Sequence, residues 1–149
     1  PRPATPGYDA ESIHKPHGKK GNGMTTQAPP ATSTFCWNEL MTGDVEAAKK
    51  FYTALFGWET KEMDMGPAGT YTIFSSAGKD CGGMMKTPDE HVPTAWLSYV
   101  TVDDVDASTS KAESLGAKIC VPPTDIPDMG RFSVLTDPTG AAIALYKSK

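Results

Sequence analysis

Histidine is scarce in this chain: there are three in 149 residues, and after residue 17 only His91 remains. Arginine is scarcer still, with Arg2 and Arg131 alone. Cysteine occurs at Cys36, Cys81 and Cys120, an odd number with no short metal-finger spacing. A disulfide-built secreted scaffold is therefore not expected; reduced thiols in a cytoplasmic setting are. No apolar run approaches ~18 residues, so no membrane span is expected. No stretch has the basic–apolar–small order of a signal peptide. No glycine-rich stretch runs directly into Lys-Ser or Lys-Thr, which removes the usual phosphate loop.

Large apolar residues are almost absent from the first thirty positions, which hold six prolines and four glycines instead. Such a segment cannot bury enough surface to offset the entropy of ordering it. Residues 1–30 are therefore expected to be a flexible tail, and residues 31–149 the folded domain. His14, His17 and Tyr8 lie in the tail and suggest no designed metal site. Charge divides at the same boundary. The tail carries Arg2, Lys15, Lys19 and Lys20 against Asp9 and Glu11, while the remainder carries ten basic and sixteen acidic residues, a net of −6. A domain so acidic is a poor partner for a phosphate backbone, and nucleic-acid binding is not expected.

What is present is an internal repeat. A shift of sixty residues brings Thr42-Gly43-Asp44-Val45 onto Val102-Asp103-Asp104-Val105, Leu55 onto Leu115, and Met84-Met85 onto Ala144-Leu145. Two units at this spacing indicate a duplicated fold rather than a solenoid. Each half opens on an aromatic and β-branched stretch, Phe35 to Thr42 and Ala95 to Val102, which reads as a strand. A helix follows each. Val45, Ala48, Tyr52 and Leu55 recur with a 3.6-residue period, widened by Phe51 and Phe56; Val105, Ala112 and Leu115 form the second stripe. Asp44 and Asp104 are placed to cap the helices, and Gly57 and Gly116 to stop them.

Three short strands are expected after each helix: about 58–64, 70–76 and 81–86, then 118–121, 131–136 and 141–147. Asp137-Pro138-Thr139-Gly140 is a strong turn. Pro122, Pro123 and Pro127 predict that the strand before them is short. The fold class is thus α+β, two tandem βαβββ modules over about 33–87 and 94–147. Each buries one sheet face under its helix, and the remaining faces join into a cup suited to a small molecule. Sequence leaves open whether the modules pair within one chain or between two.

Cys36-Trp37-Asn38-Glu39-Leu40, Phe51-Tyr52 and Leu55-Phe56-Gly57-Trp58 carry a resemblance, as do Asp104-Val105-Asp106-Ala107, Leu115-Gly116-Ala117 and Leu135 to Gly140. Over roughly residues 33–147 the chain resembles the glyoxalase/bleomycin-resistance/extradiol-dioxygenase (vicinal oxygen chelate) superfamily. The resemblance implies paired βαβββ modules. It also implies a divalent ion held by His, Gln or Glu on the first and last strand of each module, which polarises adjacent substrate oxygens. Those positions map here onto Trp37, Met84, Leu97 and Ala144. None is a suitable ligand, Met84 offering only a soft thioether. The resemblance therefore implies a member without the usual metal centre, and no cofactor is expected.

Alternation puts Trp37, Glu39 and Met41 on the same face, with Leu97 and Tyr99 on its counterpart. Met84 and Ala144 are expected to complete the cup. A carboxylate on an apolar face is costly unless paired. Glu39 is thus either one half of a rim ion pair, with Arg131 as partner, or a general base of raised pKa. Gly82-Gly83 is read as a point where the strand bends. Cys36 and Cys81 are read as ordinary buried cysteines.

The leading expectation is a small-molecule-binding protein whose ligand is apolar or aromatic. Its site would comprise Trp37, Glu39, Met84, Leu97, Tyr99, Arg131 and Ala144, with Glu39 the best catalytic candidate. The alternatives are a metal-dependent or metal-free lyase- or dioxygenase-type enzyme, and an oligomerisation or partner-binding module. A homodimer is expected, through the aromatic surface of Phe51, Phe56 and Trp58.

Overall fold

A computed structural model describes residues 32–149. The expectations for residues 1–30, with Tyr8, His14 and His17, lie outside the described residues. The first module contains β1 (Phe35–Thr42), α1 (Val45–Phe56), β2 (Glu59–Asp64), β3 (Thr70–Ser76) and β4 (Lys79–Lys86). A short 3-10 turn, Gly66–Ala68, joins β2 to β3. The second contains β5 (Ala95–Thr101), α2 (Val105–Ser114), β6 (Lys118–Ile126), β7 (Gly130–Thr136) and β8 (Ala142–Ser148). Among the described residues, no helix is long and apolar enough to cross a membrane.

The caps form as their chemistry dictates. Asp44 Oδ1 accepts from the Ala47 N–H and Asp104 Oδ1 from the Ala107 N–H, each at 2.9 Å. Each satisfies a first-turn donor that the helix leaves free. Gly57 ends α1 in the left-handed region, at φ 66°. Asp137 Oδ1 accepts from the N–H groups of Thr139 and Ala141, tightening the turn into β8.

Eight strands make one sheet in the order β2-β3-β4-β1-β5-β8-β7-β6. β1 runs parallel to β4, β5 parallel to β8, and β1 antiparallel to β5. The modules therefore join within one chain, through their first strands. Asn38 pairs with Ser98, 60 residues on, and Ser98 Oγ donates to Asn38 Oδ1 at 2.8 Å. A pseudo-twofold axis passes between them.

The sixty-residue shift holds at this axis but slips by one in the last strands. Glu39 pairs with Gly83, whereas its counterpart Tyr99 pairs with Ala144. The equivalent of Ala144 is thus Gly83, not Met84. One residue of slip turns a strand side chain to the opposite face. Met84 lies on the helix face with Leu40 and Phe74, packed against Val45, Ala48, Tyr52 and Trp58. The expectation that Met84 lines the cup is corrected accordingly. Phe74 and Met84 are fully buried, each contributing about 1.5–3 kcal/mol of transfer free energy.

Other expectations also change. Leu55 and Leu115 are each more than half exposed. Tyr52 instead fills the groove under α1, its ring 6.0 Å from both Trp58 and Phe74, so the apolar contact of the helix with the core runs along Val45, Ala48 and Tyr52. α2 is seated by Val105 and Thr109, with the Thr109 and Ser133 hydroxyls hydrogen-bonded at 2.7 Å. β6 runs through Pro122 and Pro123 rather than stopping before them. It is an edge strand with register shifts near both prolines, so their missing N–H groups cost no ladder bond. Cys36 and Cys81 are exposed, not buried.

Candidate functional site

The face opposite the helices receives alternate residues of the two central strands. Trp37 pairs with Tyr99, and Glu39 with Leu97, so all four point to this side. Ala144 and Tyr146 of β8 and Phe132 and Val134 of β7 pack against them. Leu97 is 3%, Glu39 7%, Tyr99 8% and Ala144 0% exposed. Burial this deep on a face without a helix requires the sheet to curl over it. Half-buried Trp37, Met41, Tyr71, Met85 and Tyr146 stand around this sealed floor.

Hydrogen bonds on the floor converge on Glu39. Tyr99 Oη donates to Glu39 Oε1 at 3.0 Å. Trp37 Nε1 donates to Tyr71 Oη at 2.8 Å. Indole N–H is a donor only, so the Tyr71 oxygen must accept here and its own proton is free for Glu39. That second phenol–carboxylate interaction acts on the titration of both groups.

Burial raises the Glu39 pKa above its ordinary 4.5, and the Tyr71 and Tyr99 hydroxyls, by bonding the carboxylate, pull it back down. Desolvation wins because the group is cut off from water on nearly all sides. The phenols of Tyr71 and Tyr99 are pushed above their ordinary value, first by burial and then by the Glu39 charge. They stay protonated at neutral pH and act as donors.

Tyr71 is the member that sequence reasoning missed. It reaches the floor because Tyr71 pairs with Met85 and Ile73 with Gly83, which sets its ring beside the bare Cα of Gly83. A Cβ there would collide with the Tyr71 hydroxyl and ring. Gly83 thus makes room for a phenol rather than merely bending the strand. The signal in sequence was a glycine inside a strand, which marks close approach of another group.

Trp37, Glu39, Leu97 and Tyr99 are brought together as alternation implies, and Ala144 joins them through its pairing with Tyr99. Arg131 is not. Its guanidinium donates from Nε and Nη2 to Asp106 of α2, at 2.7 and 2.9 Å, and from Nη1 to Asp125, at 2.8 Å. It points to the helix side, because Phe132 next to it takes the open face. The expected Arg131–Glu39 pair is therefore corrected. The ion pairs among the described residues leave Glu39 out. An open cleft of about 450 Å³ at the β6–β7 hairpin includes Arg131, already held by its two aspartates, and no floor residue.

With the register corrected, Trp37, Gly83, Leu97 and Ala144 occupy the equivalent inward positions of the four inner strands. None carries a lone pair that a hard divalent ion accepts. The described residues contain no grouping of three His, Cys, Asp or Glu side chains suited to an ion. The side chains at these positions do not fit a divalent metal.

Paired βαβββ modules joined through their first strands define the class of protein. The family model described as the Glyoxalase/Bleomycin resistance protein/Dioxygenase superfamily matches residues 34–145. This chain belongs to that superfamily. It is 38% identical over 116 residues to the putative glyoxylase CFP32 of Mycobacterium tuberculosis, covering 78% of this chain and 44% of that protein. It is 37% identical over 138 residues to the anthracycline biosynthesis protein DnrV of Streptomyces peucetius, covering 83% and 49%. The chain thus spans about half the length of these relatives. Among solved structures, methylmalonyl-CoA epimerase from Mycobacterium tuberculosis is similar with TM-score 0.58, 16% identity, and coverage of 83% and 94%. The Mn(II)-bound glyoxalase from Novosphingobium aromaticivorans is similar with TM-score 0.53, 18% identity, and coverage of 77% and 38%. At these identities the structural likeness speaks for the fold alone.

Proposed function

We propose that this protein binds a small, at least partly aromatic molecule in its cup and does so without a metal centre. One observation carries the reading: the hydrogen-bonded pairs Trp37–Tyr71 and Tyr99–Glu39 sit together on an aromatic floor, beside inner-strand positions that lack metal donors. Such a floor offers flat apolar contact with a few fixed polar atoms, the usual composition of a small-molecule site. Ligand-observed NMR with a panel of aromatic metabolites tests it, combined with metal analysis of protein purified without chelator. Saturable binding lost in Trp37→Ala is the expected result. Stoichiometric, tightly held zinc, nickel, manganese or iron overturns it.

The raised pKa of Glu39 favours a second reading, a metal-free enzyme in which Glu39 takes a proton from a carbon acid. One relative is named a putative glyoxylase. Assay on methylglyoxal–thiol adducts separates the two: turnover abolished by Glu39→Gln favours the enzyme, and binding without turnover favours the first reading.

The same proposal includes a reduced, cytoplasmic setting, in keeping with three free and exposed cysteines. It also includes a homodimer through α1, where Phe51, Leu55 and Phe56 are each more than half exposed.

A further inference from the structure

The donors around the floor are all committed to acceptors of the protein itself. Trp37 Nε1 gives its hydrogen to Tyr71, and Tyr99 gives its own to Glu39. The Tyr71 hydroxyl, left with its own proton by that arrangement, also acts on the Glu39 titration. Tyr146 Oη donates outward to the Met129 carbonyl at 2.9 Å, and the Cys36 thiol to the Tyr99 carbonyl at 3.5 Å. What remains unfilled is acceptor capacity. A carboxylate offers about four lone-pair sites, and the hydrogen bond from Tyr99 fills one of them. No cation among the described residues forms an ion pair with Glu39.

Around that carboxylate stand π faces. The rings of Tyr99 and Tyr146 meet edge to face with centroids 6.4 Å apart, and Trp37 and Phe132 belong to the same cluster. Ring faces attract cations through their quadrupole, most strongly where water is displaced. The domain around them is acidic, and its field favours a cation entering over an anion.

Building on the proposed cup, we infer that its ligand is anchored by a hydrogen-bond donor that Glu39 receives, in its strongest form an organic ammonium joined to an aromatic body. Free acceptors on the floor, donors already spent and surrounding π faces ask for the same ligand group. Beside ionised Glu39, a carbonyl or carboxylate ligand would find no free donor and would place an acceptor against the carboxylate oxygens. A cation at this point also restores the charge that burial disfavours, so its binding expels a proton from whatever fraction of Glu39 is protonated. The titratable groups that act on Glu39 are Tyr71 from β3 and Tyr99 from β5; Tyr146 of β8 and Cys36 of β1 act on Tyr99 and on each other instead. All three phenols are held above their ordinary value and keep their protons.

Three matched probes test the inference by calorimetry on the full chain: 2-naphthylmethylammonium, its neutral isostere 2-ethylnaphthalene, and 2-naphthoate. The ammonium is expected to bind about tenfold or more tighter than the neutral isostere, and 2-naphthoate weakest. Ammonium affinity should rise with pH through the Glu39 titration. Measured in buffers of different ionisation enthalpy, its binding should release protons. Glu39→Gln should erase the preference for the ammonium over the neutral isostere, and Cys36→Ser should leave the pH dependence in place. The pH and proton-release measurements need no variant, so they decide even if Glu39→Gln folds poorly. Equal binding of ammonium and neutral probe, or tightest binding of 2-naphthoate, overturns the inference and leaves the cup reading standing. Failure of all three probes to bind at millimolar concentration removes both.

Discussion

The Tyr71 ring lies against the bare Cα of Gly83, in the space that a side chain at that position would occupy. The two residues sit on adjacent antiparallel strands, with Gly83 paired to Ile73 two residues further along β3. Gly83 is also the counterpart of Ala144 in the other module, where the side chain is small and buried. One module fills its inward position with a methyl group. The other gives the space to a phenol borrowed from the neighbouring strand.

Gly83→Ala is therefore expected to displace Tyr71 and break its bond from Trp37. Overpacking of this kind costs about 1–3 kcal/mol, read as a lower urea midpoint. Tyr71→Ala should relieve the collision. In a double-mutant cycle the pair should cost less than the sum of the single changes, as expected of residues in contact. Strict additivity would show that Tyr71 does not occupy this space.

Glu39 makes a second prediction, on pH. Its folded-state pKa lies above the ordinary 4.5 because burial disfavours the charge. Below 4.5 both folded and unfolded states hold the proton, and no penalty arises. As pH rises through and beyond that value, the unfolded chain ionises first and the folded protein binds more protons, so stability falls until the folded group has also ionised. Thermal melts over roughly pH 4 to 8 should show the wild type losing ground to Glu39→Gln as pH rises. A gap that stays constant would mean that Glu39 is not desolvated. A gap that runs the other way would mean that the two phenols outweigh burial.

The architecture was legible because its signals are local. Asp44 and Asp104 start helices that Gly57 and Gly116 stop, and the Asp137–Gly140 turn fixes β8. Alternation along β1 and β5 correctly gathered Trp37, Glu39, Leu97 and Tyr99, since side-chain direction along one strand follows from position. Contacts between strands were another matter. Met84 and Gly83 differ by one residue, and only the pairing of β4 with β1 decides which faces inward. No local feature reveals the slip. Tyr71 was missed for the same reason, since its place depends on the register of β3 against β4. Arg131 was assigned to Glu39 by elimination, as the lone arginine of the domain. Its partners Asp106 and Asp125 lie on α2 and β6, and sequence does not show which carboxylates the fold brings within reach.

The last prediction concerns α1. Phe51 and Leu55 are each 57% exposed and Phe56 is 53% exposed, on a helix with no fully buried residue. Apolar surface of this density on one helix is the kind that a second subunit covers. Trp58 was grouped with these residues by sequence, but its ring packs 5.3 Å from that of buried Phe74 and belongs with the core. The two sets separate in experiment. Sedimentation equilibrium over roughly 1–100 μM should show a concentration-dependent dimer. Phe51→Ser combined with Leu55→Ser should abolish association while leaving the melting temperature of the monomer close to that of the dilute wild type. Trp58→Ala should lower the urea midpoint by removing contacts to Tyr52 and Phe74, at a cost of about 3–5 kcal/mol for a well-packed aromatic and less in proportion to its exposure. A wild type that sediments as a monomer across the whole range would reject the dimer. A serine pair that unfolds the chain would place Phe51 and Leu55 in its core instead.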